Sequence, residues 1–174
     1  MRREAEQIYV DNSSVMSRIV PPAESRISDW YPGASLADSF AVTLPPTAPT
    51  DIGTLATLLF ADLPLWFRTL LAIRDKIVTL FGVKSTHDLE AREHIAFFPV
   101  LSRSADEIVL GVDDRHLDFR ASVLLRRTDN RLAITTAVRC HNLLGRLYLA
   151  AILPFHILIA ADVLRRLERR FQVA

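Results

Sequence analysis

Between Ile95 and His141 apolar and polar side chains alternate with a period of two, the spacing of strands that bury one face. The clearest run is His116 to Arg126, with Leu117, Phe119, Ala121, Val123 and Leu125 on one side and His116, Asp118, Arg120, Ser122 and Arg126 on the other. Similar runs lie near Ile95 to Leu101, Glu107 to Asp113 and Arg131 to His141. Pro99 has no N–H to give to a ladder, which predicts an edge position for the first of these. A two-residue turn at Asp114 and Arg115 pairs Val112 with Leu117 and Leu110 with Phe119. A four-residue loop, Arg127 to Asn130, pairs Leu125 with Leu132, Val123 with Ile134 and Phe119 with Val138. Both registers bring apolar faces together and set Asp118 opposite Arg139 on the polar side. The expectation is a meander with one dry face and one wet face.

Elements on either side complete the plan. Ser39 to Leu44 alternates and stops at Pro45-Pro46, as a short strand does. A helix is expected from about Asp51 to Ala61, and a second one capped by Asp62, with Pro64 in its first turn. In that second helix Leu65, Trp66, Leu70, Ile73, Ile77, Leu80 and Phe81 recur at helical spacing and Gly82 closes it. The last element, Leu143 to about Phe171, reads as a long helix, apolar nearly all round until Asp162, and so is expected to be covered on several sides. Strand, two helices, meander, long terminal helix is the helix-grip order. The fold class expected is α+β: a curved antiparallel sheet wrapped around a long C-terminal helix, with two helices inserted after the first strand. Val20-Pro21-Pro22 and Trp30 to Gly33 are punctuation, so residues 1–30 are expected to form an irregular arm and residues 31–174 a single domain.

Composition narrows the function classes. The chain of 174 residues is 50% hydrophobic and carries a formal net charge of +1, so it holds ample core material and no global field for steering nucleic acid. Cys140 is the only cysteine, which excludes an internal disulfide and suits a cytoplasmic location. The apolar run from Leu147 to Ala161, between Arg146 and Asp162, falls short of the roughly 20 residues that cross a bilayer, so a fully buried core helix is expected and not a membrane span.

The segments Gly111 to Phe119, Thr135 to Asn142, Gly145 to Tyr148 and Pro154 to His156, with Ala37 to Phe40 and Trp66 to Arg68 before them, resemble the bacterial family called domain of unknown function 2867. The likeness runs from about Tyr31 to Leu167. It implies a START-like helix-grip fold, whose members commonly hold apolar ligands between sheet and terminal helix. The family also occurs fused behind NAD(P)-binding oxidoreductase domains, which implies an oxidoreductase as a possible partner. No Gly-rich nucleotide fingerprint occurs in this chain, and no cofactor is expected.

Candidate chemistry centres on His156, which follows the helix-disrupting Pro154 within apolar surroundings and could anchor a ligand's polar group or act as a general base. Tyr148 lies on the same helix; Trp66 and Arg68 are candidates for the cavity mouth, where a guanidinium can grip a carboxylate. His116 and His141, set opposite each other with Asp113 nearby, have the donor types of a metal site, though a solvated strand end explains them as well. Cys140 is expected to be a small buried hydrophobe. Three functions follow: binding of a small apolar or amphipathic ligand in a cavity between sheet and C-terminal helix; an enzyme of the cyclase or dehydratase type with His156 as general base; or a homodimeric or oxidoreductase-associated interaction protein.

Overall fold

The computed structural model describes residues 16–61, 93–96 and 98–172. They form a seven-stranded antiparallel sheet with one short helix after the early strands and a long C-terminal helix packed against it. The strands are β1 (Ser17–Ile19), β2 (Leu36–Thr43), β3 (His94–Ile95), β4 (Phe98–Arg103), β5 (Glu107–Asp113), β6 (Leu117–Arg126) and β7 (Arg131–Cys140), in the spatial order β1-β2-β7-β6-β5-β4-β3. Helix α1 spans Ile52–Phe60 and α2 spans Leu143–Gln172. The expected second inserted helix, with Trp66, Arg68 and Gly82, lies outside the described residues.

Local chemistry sets the boundaries. Asp51 caps α1 by accepting from the Thr54 N–H at 2.6 Å, and that bond holds its carboxyl below the usual carboxylate range. Asn142 caps α2 in the same way, accepting from the Gly145 N–H at 3.0 Å. The β6–β7 hairpin has the register expected from its apolar pattern, Leu125 opposite Leu132 and Phe119 opposite Val138.

The β5–β6 hairpin differs. Val112 faces Phe119 and Leu110 faces Ala121, two residues away from the two-residue-turn register. Asp114 accepts from the His116 N–H and Asp118 accepts from the Asp114 N–H, and these side-chain bonds hold a wider turn. A slip of two keeps every side chain on its own face, so the apolar pattern does not detect it.

The inner face carries the core. Phe40, Val42, Ile108, Leu110, Ala121, Val123, Leu125, Leu132 and Ile134 meet Ile52, Leu55 and Leu59 of α1 and Ala160, Val163, Leu164 and Leu167 of α2. The other face is not wet, as alternation alone suggested. Ile27, Trp30 and Tyr31 cover Val109 and Ala137, while Ile19 lies against Ala41, Leu124 and Ala133. Polar groups trapped beneath this cover satisfy one another. The Ser39 and Thr135 hydroxyls are 2.8 Å apart, and the Glu107 carboxylate accepts from Ser25 Oγ, Ser122 Oγ and the Arg26 N–H. Arg139 stands opposite Asp118 in the register, as expected, but its guanidinium turns elsewhere. It stacks on the Trp30 ring, 4.6 Å from its centroid, with Arg120 also over that ring at 4.2 Å.

Helix α2 is only partly the buried core helix that its composition suggested. Its C-terminal half packs into the core, but Leu143, Leu147, Phe155 and Leu158 are 70%, 59%, 44% and 60% exposed. It is long and apolar enough to cross a membrane, and only 17% of its most apolar 18-residue window is buried, unlike the mostly buried core helix that was expected. Leu147, Ile152 and Leu158 are all expected against the meander; Ile152 is half-buried on the sheet-facing side, whereas Leu147 and Leu158 are exposed. The contact with the sheet runs through the opposite side of the helix, where His156 lies.

Candidate functional site

Strand alternation puts Asp38 on the core-facing side of β2, in line with Phe40 and Val42 and opposite Thr136 of β7. On α2 the sheet-facing stripe descends through Tyr148, Ile152, His156, Ala160, Val163 and Leu167, at spacings of about one turn. The two patterns meet at one point. His156 Nε2 lies 3.1 Å from Asp38 Oδ1 and 3.2 Å from Oδ2. The Asp38 side chain is 2% exposed and that of His156 is 17% exposed.

A carboxylate can only accept, so this contact places a proton on Nε2. Among the described residues Nδ1 makes no hydrogen bond, and it is not among the buried unpaired polar atoms. The buried acid therefore fixes the ring's orientation and leaves the second nitrogen available. Sequence reasoning missed Asp38. Its signal was present: an acidic residue in phase with Phe40 and Val42 must enter the core with a partner.

Around the pair, burial falls off along the sheet. Toward one end, Ile108, Val123, Leu132 and Val42 are fully enclosed. Toward the other, Leu36, Val112, Leu117, Phe119 and Phe98 stay half-buried, although they share the inner face with the core. Phe98 stacks at a tilt on Phe119, centroids 5.6 Å apart, and meets Phe60 of α1 edge-on at 6.2 Å. Tyr148 and Ile152 are half-buried on the facing helix. The result is an incompletely filled apolar and aromatic wall with one acid–imidazole pair in it. Pro154 lies on the exposed side of α2, so the helical bond that it removes is not beside the pair.

The other candidates disperse. His116 and His141 are strand-end neighbours, with the His141 N–H donating to the His116 carbonyl at 2.9 Å, but their rings take different partners. His141 Nε2 is 3.0 Å from Asp118, His116 Nδ1 is 3.0 Å from the Asn142 amide, and Asp113 pairs with Arg120. Among the described residues no three His, Cys, Asp or Glu side chains are grouped to hold a metal ion. Cys140 is half-buried on the inner face, with its Cβ close to Gly145. Trp66 and Arg68 lie outside the described residues.

The sequence matches the family model "Protein of unknown function (DUF2867)" over residues 30–163, which takes in β2, α1, the whole meander and the helix through His156. The chain belongs to this family. No curated protein and no solved structure matches it. The DUF2867 match thus includes both halves of the Asp38–His156 pair, and the sheet and terminal helix together fit a helix-grip-like architecture.

Proposed function

We propose that this DUF2867 protein binds a small apolar or amphipathic molecule between the inner face of the sheet and the N-terminal half of α2, in the manner of START-like folds. The supporting observation is the coincidence of two features in one place. Inner-face side chains that ought to be core stay half-buried, and the acid–imidazole pair of that region stands among them. Ligand sites are mostly apolar with a few placed polar groups, and His156, oriented by Asp38, is that group here; Tyr148 is the second candidate anchor. Native mass spectrometry of protein purified without denaturation tests the reading. Wild type is expected to carry a bound organic mass that Phe119→Trp, which fills the space, removes. A wild-type spectrum showing the bare chain alone, even after incubation with fatty acids and sterols, refutes it.

A second reading is favoured by the free Nδ1. With Nε2–H held by a buried carboxylate, Nδ1 is the lone-pair nitrogen of a general base, as a cyclase or dehydratase requires. Turnover of an identified ligand that His156→Ala leaves unchanged would remove this version while leaving binding intact.

A further inference from the structure

The N-terminal half of α2 turns its most apolar side outward. Leu143, Leu147, Phe155 and Leu158 follow one another at spacings that keep them on one side of the helix, with Ala151 and Pro154 between them, all exposed. That side is opposite Val163, Leu164 and Leu167, which are buried in the core. Every exposed charged residue on the helix is an arginine: Arg146 near its start and Arg165, Arg169 and Arg170 near its end. Arg165 and Arg169 continue the apolar stripe two and three turns beyond Leu158. The acidic residues, Asp162 and Glu168, are half-buried, and Asp162 is held by Arg166 at 2.7 Å.

We propose that this stripe docks on an anionic lipid surface, with α2 lying in the plane of the interface and its arginines at the headgroups. An apolar strip with cations at both ends matches a bilayer whose interior is apolar and whose headgroups are negative. A second copy of the chain fits less well. Two such stripes laid against each other bring leucine to leucine but supply no acid for Arg146, Arg165 or Arg169. A span across the bilayer fits worse, because His156 is tied to Asp38 and Leu164 and Leu167 belong to the core, so the helix cannot leave the sheet. The proposal is independent of the ligand reading: it concerns the outer side of the helix, and the pair lies on the inner side.

Flotation of the full chain with unilamellar vesicles tests it, comparing phosphatidylcholine alone with phosphatidylcholine plus phosphatidylserine. Wild type is expected to float with the anionic vesicles and to be released by salt. Arg165→Gln with Arg169→Gln should weaken binding by roughly thirtyfold, about one headgroup attraction lost per arginine. Leu147→Asp with Leu158→Asp should abolish it without lowering the unfolding midpoint, because both residues are exposed. In a Cys140→Ser background, Leu147→Cys should react quickly with a water-soluble maleimide and slowly once vesicles are added.

Four results would overturn the proposal: no flotation; equal flotation with neutral vesicles; a dimer that Leu147→Asp with Leu158→Asp dissociates in the absence of lipid; or slow maleimide reaction without vesicles, which would mean that the chain covers its own stripe. His156→Ala, expected to lose the ligand mass, should still float like wild type, so failure of one reading is distinguishable from failure of the other.

Discussion

Removing the imidazole of His156 isolates a buried charge, and the cost can be worked from the geometry. The Asp38 side chain is 2% exposed, and among the described residues its carboxylate has His156 Nε2 as its hydrogen-bonding partner. Breaking a buried pair by deleting one partner costs about 3–5 kcal/mol. The His156 ring keeps 17% of its surface open, so water can partly replace it, and His156→Leu should cost about 3 kcal/mol, the low end of that range. Asp38→Asn retains volume and a carbonyl acceptor and removes the charge, so on its own it should cost less, about 1–2 kcal/mol. The informative variant is the double, Asp38→Asn with His156→Leu. If the penalty of His156→Leu is a stranded carboxylate, the double variant should be more stable than His156→Leu alone by about 1 kcal/mol or more. Urea unfolding followed by circular dichroism, with the slope checked for constancy, measures all four corners of the cycle. A His156→Leu protein as stable as wild type, or a double variant whose losses simply add, would show that the two side chains are not an energetic unit.

Three further outcomes follow from the same structure. Glu107→Ala strands two buried hydroxyls and the Arg26 N–H, so it should cost about 3 kcal/mol, and limited proteolysis should then cut near residues 20–30 first; an uncut, equally stable variant would show that the Glu107 contacts do not hold the N-terminal cover. A Cβ at Gly145 would collide with the His116 carbonyl oxygen, which is backbone and cannot swing aside, so Gly145→Ala should lower the thermal midpoint, whereas Leu144→Ala on the exposed side should barely move it. The folded-state lowering of the Asp51 carboxyl means that its contribution to stability is present at neutral pH and is lost as the pH falls through that lowered value; Asp51→Asn should flatten this part of the acid-denaturation profile, and an unchanged profile would refute the capping assignment.

The inner face of the meander was legible because alternation is a strict code where one side is dry. Phe119, Val123 and Leu125 read correctly, and so did their partners Val138, Ile134 and Leu132. The β5–β6 offset was not legible, because a slip of two is silent in that code and depends on how Asp114 and Asp118 bind nearby backbone. The covered outer face was hidden for a related reason. Ser39, Ser122, Thr135 and Glu107 look like surface residues, but Ser39 and Thr135 bond to each other, Ser122 bonds to Glu107, and Ser25 and Arg26 of the N-terminal cover complete the partners of that carboxylate. Half of the candidate pair was legible: His156 stood out as a lone polar group in an apolar helix. Its partner lies 118 positions earlier in the sequence and belongs to a strand whose first residues, Leu36 to Asp38, precede the run that alternation marked.

Both margins of the sheet are blunt. The outermost strands, β1 and β3, have three and two residues, while their neighbours β2 and β4 have eight and six. A flat row of open backbone donors and acceptors is what lets one β-protein graft onto another, and each outermost strand here is too short to present a long one, although β1 pairs with only Ser39 to Ala41 of β2. Short outer strands thereby disfavour strand-to-strand growth into ribbons or fibres, the commonest way in which β-proteins clump.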